Sequence, residues 1–128
     1  MVIDTSAMLA TLFDEPERRR INRKIEAAEV RLMSAASYVE TAIVIESRFG
    51  YEGGRDLSFF IQTAGIEIVP VDPDQAEIAR QAHRRFGRGR HPADLDIGDC
   101  FAYALAKTAD LPLLFKGEAF KHTDVRLA

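Results

Sequence analysis

Four acids stand out because of what surrounds them: Asp4, Glu40, Asp99 and Glu118. Asp4 closes the apolar run Val2-Ile3 and opens onto two hydroxyls, Thr5 and Ser6. Glu40 has Ala36, Ser37, Ile43 and Val44 as its helical neighbours, a small and apolar row rather than a charged face. Asp99 lies in IGDCFAYALAKTAD, and Glu118 follows shortly after the apolar run PLLF. Carboxylates brought together repel, and a few ångströms apart they cannot all ionise cheaply without a counter-ion. The usual counter-ion for an all-oxygen set is a hard divalent cation. Mg2+ or Mn2+ takes one or two carboxylates and keeps several waters. The chemistry of such a set is phosphodiester hydrolysis with one or two metals.

Those acids matter only if the chain brings them together, and the elements say how. VID reads as a short buried strand, followed by a helix from about Ser6 and, after Pro16, another to about Ala28. Val30 to Ser34 is a second strand. ASYVETAIVIESRFG is a helix ended by Gly50, EGG a turn, and RDLSFFIQTAG a helix ended by Gly65. Ile66 to Val71 is the third strand, and PDQAEIARQAHRRFG an amphipathic helix with Ile78, Ala79, Ala82 and Phe86 on one face. The polar loop RGRHPADLD leads to the Asp99 helix, and Pro112 to Phe115 is the fourth strand. TDVRLA could add a fifth at the edge. Strands separated by helices imply right-handed crossovers and a parallel sheet covered on both faces. The expected fold is therefore α/β, in one domain spanning residues 1–128.

Open parallel sheets place their sites outside the carboxyl ends of the strands. Asp4 ends the first strand, Glu40 lies within the first two turns of the helix after the second, and Glu118 stands three residues past Phe115 at the end of the fourth. Asp99 reaches the same end only if the long loop before it carries its helix there.

Composition narrows the class. Charged residues make up 29% and hydrophobic residues 47%, as in ordinary globular proteins. No apolar run approaches the ~20 residues of a membrane span, and the N-terminus lacks a basic segment with a small-residue cleavage site. The single cysteine excludes an internal disulfide framework and a Cys-based zinc cluster, so the expected compartment is cytoplasmic. A net charge of −3 means that any nucleic-acid contact needs a local basic patch.

MVIDTSAML, the internal SxxSYVET and, above all, HPADLDIGDCFAYALAKTADLPLLFKGEAFKHTDV resemble PIN-domain ribonucleases of the VapC toxin type. The resemblance covers nearly the whole chain. It implies an α/β/α sandwich with a central parallel sheet of four to five strands. It also implies Mg2+-dependent endoribonuclease activity, toxicity restrained by a VapB-like antitoxin, and a homodimer. Carried over residue by residue, Asp4 and Asp99 match the metal-binding acids, Glu40 the second acid, and Ser6 the small polar residue of the metal pocket. Glu118 stands where close relatives usually carry Asp, Asp96 where they often carry Asn, and Asp124 is a possible extra acid. The implied reaction is water attack on phosphate, leaving a 5′-phosphate and a 3′-hydroxyl.

Other readings stand beside these. Asp4 could initiate a turn, or Thr5 and Ser6 could cap the next helix. Asp96 is placed as an N-cap with Asp99 as its capping-box partner. For Asp99 the two roles are compatible, because the helix dipole favours an anion there. A buried arginine could partner Glu40 instead of a metal. HRRFGRGRH is the densest basic stretch. Arg84, Arg85, Arg88, Arg90 and His91 could form an RNA phosphate track, or complement the end of a helix. Cys100 reads as a buried inert thiol, and Tyr38, Tyr51, Phe59 and Phe60 as packing residues. The helices after the second strand carry more apolar positions than one sheet face needs, which suits a partner surface. A phosphoryl-transfer domain of receiver or haloacid-phosphatase type would also end its first strand on Asp. The phosphatase wants a second acid where Ser6 stands, and Lys116 is the one feature in favour of a receiver. A catalytically silent domain of the same fold is the remaining alternative.

Overall fold

The structure is a computed structural model describing residues 1–128. Strands β1 (Val2–Ile3), β2 (Leu32–Ser34), β3 (Glu67–Val69) and β4 (Leu113–Leu114) form one parallel sheet in the order β3-β2-β1-β4. The chain steps outward from β1 to β3, then returns to the far side of β1. The switch point therefore lies between β1 and β4, where such sheets open a crevice.

Alternation on the strands sorts side chains into two cores. Val2 and Leu113 join one, with α4 (Pro73–Phe86) and α5 (Ile97–Ala109). Ile3, Met33 and Leu114 join the other, with α1 (Thr5–Leu12), α2 (Arg18–Ala27) and the second half of α3 (Ala35–Thr63). The result is the expected three-layer α/β/α sandwich. The strands are shorter than the sequence suggests. The fifth is reduced to a bridge between Leu113 and Leu127, with Leu113 N–H donating to the Arg126 carbonyl at 2.8 Å.

One local expectation fails. EGG is helical, not a turn. The break lies at Gly50, where the first helix was expected to end, with φ +68° and ψ −159° inside an otherwise helical run. The second segment then folds against the first. A Cβ on Gly53 would lie 2.7 Å from Ile45 Cγ2 and 2.8 Å from Phe49 Cβ, so glycine is required there for close approach rather than for turning. Two residues read as packing, Tyr51 and Phe59, are 79% and 69% exposed; with Val39, Ile43 and Phe49 they make this hairpin unusually apolar outside. Glu40's neighbours Ile43 and Val44 belong to that exposed surface rather than to a buried row.

Candidate active site

Asp4 ends β1 and caps α1. Its Oδ2 accepts the Ser6 N–H at 3.0 Å and the Ser6 hydroxyl at 2.6 Å. The turn-initiating reading is thus correct, with Asp4 rather than Thr5 or Ser6 as the cap. It does not exhaust the residue. Asp4 is 3% exposed and no cation pairs with it. Burial raises its pKa to about 6, against the Ser6 hydrogen bonds, and the charges of Glu40 and Asp96 add to the rise.

A buried hydroxyl relay ties Glu40 to the same place. Thr5, next to Asp4, donates to the Ser37 carbonyl at 3.2 Å. Thr41, next to Glu40, donates to the Ser37 carbonyl at 2.7 Å and lies 3.2 Å from Thr5 Oγ1. The starts of α1 and α3 are thereby held in register. Glu40 is half-buried and no arginine meets it, so the buried-arginine reading does not hold. Its carboxylate lies on the backbone of Gly98, where any Cβ would collide with both oxygens. Gly98 is a site residue that sequence reasoning passed over. The signal was the glycine directly before Asp99, quoted only as part of a motif.

The loop before α5 does carry that helix to the carboxyl edge. Gly87 bridges Leu95, Arg88 N–H donates to the Leu95 carbonyl at 2.9 Å, and Gly89 N–H donates to Asp94 at 3.1 Å. His91 is fixed within it, stacked edge-on against Phe86 at 5.1 Å, with its Nδ1 accepting the Ala93 N–H at 3.1 Å. At the start of α5 the capping box is complete. Asp99 N–H donates to Asp96 Oδ1 at 2.8 Å, and Asp96 N–H donates to Asp99 Oδ2 at 3.0 Å. Burial lifts Asp99 to about 7, opposed by its backbone hydrogen bond and reinforced by the charges of Asp4 and Asp96. Burial also pushes the neighbouring Cys100 thiol up to about 11, as expected for an inert sulfur.

Two other acids take different partners. Glu118 faces solvent and pairs with Lys121 at 2.9 Å. Asp124 accepts the Tyr103 hydroxyl at 2.6 Å, lies 3.4 Å from Lys107 and 3.8 Å from Arg85. Of the basic stretch, Arg85 also lies over the Phe86 ring, and Arg88 approaches Asp96 at 3.9 Å. Arg84 and Arg90 are exposed and make no ion pair.

The set that converges is therefore Asp4, Glu40 and Asp99, with Asp96 and Ser6 as supports. No three potential ligands stand close enough to form a ready cage. What they form is an edge of excess negative charge, where burial raises both Asp4 and Asp99 above the usual carboxylate range. A hard cation with a mostly aqueous shell fits that donor set, because it needs only one or two carboxylates.

Comparison with known proteins identifies the family. The PIN domain family profile matches residues 1–126. The chain is 56% identical to VapC ribonuclease Mb0640 of Mycobacterium bovis over 125 residues, covering 98% of this chain and 95% of that one. It is 58% identical to ribonuclease VapC of Mycolicibacterium smegmatis, covering 98% and 97%. Among solved structures it is similar in fold to Mycobacterium tuberculosis VapC20, a sarcin–ricin loop cleaving toxin, with a TM-score of 0.80 at 14% identity, covering 99% of this chain and 97% of that one. It is also similar to DNA-bound VapBC of Salmonella typhimurium, with a TM-score of 0.74 at 18% identity, covering 99% and 95%. A parallel α/β/α sandwich with acids gathered at its switch point, and relatives this close along almost the full length, place the chain in the PIN-domain family, among the VapC ribonucleases.

Proposed function

We propose that the protein is a Mg2+-dependent endoribonuclease and the toxin of a toxin–antitoxin pair. The observation that carries this reading is the convergence of Asp4, Glu40 and Asp99, from three different elements, with no lysine or arginine paired to any of them. Asp4 and Asp99 would hold the ion. Each has its Oδ2 already engaged by hydrogen-bond donors, which fixes the direction of its Oδ1. Glu40, seated on Gly98, would orient the attacking water. When bound, a divalent cation supplies the positive charge that polarises the phosphate and acidifies water. Mn2+ should substitute for Mg2+.

Arg84 and Arg90, exposed and unpaired, are the best-placed side chains for RNA phosphates. Arg85 and Arg88 would first have to leave Asp124 and Asp96. Replacing a phosphate-binding arginine with serine should lower the log–log salt slope of single-strand RNA binding by about 0.7 per arginine replaced. The exposed apolar hairpin Val39, Ile43, Phe49, Tyr51 and Phe59 is the surface we assign to protein partners, a VapB-like antitoxin or a second copy. No helix is long and apolar enough to cross a membrane.

The receiver reading loses its support. Lys116 is engaged by Glu15 and Glu17 instead of facing Asp4. The deciding experiment is cleavage of RNA by purified protein with end mapping. Activity should vanish in excess chelator, return with Mg2+ or Mn2+, and leave 5′-phosphate and 3′-hydroxyl ends. Full cleavage after rigorous metal removal would overturn the reading.

A further inference from the structure

We propose that Lys116 is a positioning residue for Asp4, acting through Ser6, with Glu15 and Glu17 as its anchors. Nothing in the sequence pointed to this role, and its consequence for the metal rests on the reading above.

The main chain of Lys116 sets the direction of a proton. Lys116 N–H donates to Ser6 Oγ at 2.9 Å. An amide can only donate, so the Ser6 hydroxyl must send its single hydrogen elsewhere. Asp4 Oδ2 receives it at 2.6 Å, together with the Ser6 N–H. The relay saturates one oxygen of Asp4, so that Oδ1 is the oxygen left for the pocket.

The side chain explains why Lys116 stays in place. It lies just beyond β4, and Gly117 follows with φ +104°, so the strand ladder no longer holds the chain. The ammonium instead contacts Glu15 and lies 3.5 Å from Glu17 Oε2. Both glutamates sit on the segment joining α1 to α2, itself anchored by Glu15 N–H donating to the Ala10 carbonyl at 2.9 Å. Glu17 Oε2 is buried and has no hydrogen bond, which makes the nearby ammonium its only compensation. A single exposed ion pair would be a weak clamp. Here one partly buried lysine bridges two carboxylates across the switch point. The same pairing commits the lysine's charge to Glu15 and Glu17, so it does not neutralise Asp4.

The test has a readout that needs no metal. In this structure Ser6 N–H donates only to Asp4 and Lys116 N–H only to Ser6, so amide hydrogen exchange at these two positions reports the relay directly. In metal-free Lys116→Met both amides should exchange ~10-fold faster or more, the ratio expected when a charge-assisted hydrogen bond is removed. Lys116→Arg should restore protection, and Glu15→Gln with Glu17→Gln should reproduce the Met variant. Unchanged exchange in Lys116→Met overturns the inference. If that variant loosens the whole sheet, the glutamate pair decides, and wild-type protection of Ser6 in it overturns the inference too. Calorimetry with Mn2+ then separates the two proposals. Lys116→Met should bind about tenfold more weakly than wild type, and wild-type affinity there overturns the consequence for the metal. No Mn2+ binding by the wild type would overturn the proposed function while the exchange result still judges the relay. Finally, RNA binding on an Asp99→Asn background should keep its salt slope in Lys116→Met. A slope lower by about 0.7 would make Lys116 a phosphate-binding residue and overturn the positioning role.

Discussion

Two aspartates meet the same helix and are treated in opposite ways. Asp99 lies in the first turn of α5, where burial and the charges of Asp4 and Asp96 raise it to about 7. Asp124 meets the same helix further along. Burial pushes it upward too, but the Tyr103 hydroxyl, Lys107 and Arg85 outweigh that and hold it below the usual carboxylate range. Tyr103 gives way in turn, its phenol raised by burial and by Asp124. The difference lies in the partners. Asp124 has enough donors to be satisfied as an anion, so its work is to tie the C-terminal segment to α4 and α5. Asp99 has too few, and the cation proposed above would supply the compensation it lacks.

The contrast breaks most sharply under isosteric amides. Asp99→Asn would remove an anionic ligand of the proposed cation and should cut cleavage by more than ~100-fold, since loss of mere outer-shell partners already costs ~10–100-fold. Asp124→Asn should leave the cleavage rate close to wild type in the same assay. Equal losses in both variants would return Asp124 to the pocket. Wild-type cleavage by Asp99→Asn would remove Asp99 from it.

Stability against pH sharpens the same point. A carboxyl whose folded pKa lies above its unfolded value contributes stability that is fully present below the unfolded pKa. That stability is lost as pH rises through the folded pKa. For Asp4 the window runs from 3.8 to about 6. Asp4→Asn keeps a capping side chain, so the metal-free variant should exceed wild type by roughly 2–3 kcal/mol above the window. The gap should close below it. Denaturant melts of both proteins across pH check this, and a gap that widens toward acid would contradict it.

Gly98→Ala addresses geometry instead of charge. The added methyl meets the Glu40 carboxylate, the mobile end of a long side chain. Alanine improves helix propensity by about 1 kcal/mol, so the melting temperature should hold or rise. Cleavage should fall by about tenfold, the range of an outer-shell defect. Wild-type turnover would show that Glu40 does not need that seat.

The smallest effect belongs to the satisfied acid. Asp124 has a lowered pKa, so its contribution is present above the unfolded value and lost as pH falls through the folded one. Its pairs are partly solvent-screened, so Asp124→Asn should cost less than about 1 kcal/mol at neutral pH. The difference should shrink in acid, opposite in sign to Asp4→Asn.

How much of this was legible in advance depends on sequence distance. Asp4 at a strand end, the capping box of Asp96 and Asp99, and Gly50 as a helix break are set by neighbours a few residues away. Such chemistry is written locally: a carboxylate accepts the N–H groups two or three residues on, and a glycine takes positive φ wherever it stands. The EGG segment was misjudged because a glycine needed for close packing looks, in sequence, like one needed for turning. Tyr51 and Phe59 were misjudged because aromatic residues are alike in sequence whether they face a core or a partner.

What the sequence determined by itself, then, is the alternation of strands and helices and the edge on which Asp4, Glu40 and the chain after β4 must emerge. The right-handed parallel crossover leaves little choice in either. Only the tertiary structure decided which acids meet. It swung α5 so that Gly98 receives Glu40, turned Glu118 outward to Lys121, and gave Asp124 to Tyr103. It also joined Lys116 to Ser6 across a separation of 110 residues. The reason is the reach of the forces involved. Backbone preferences and caps act within a turn of chain, whereas ion pairs and close approaches are settled by what packing brings within a few ångströms, and no local pattern records that.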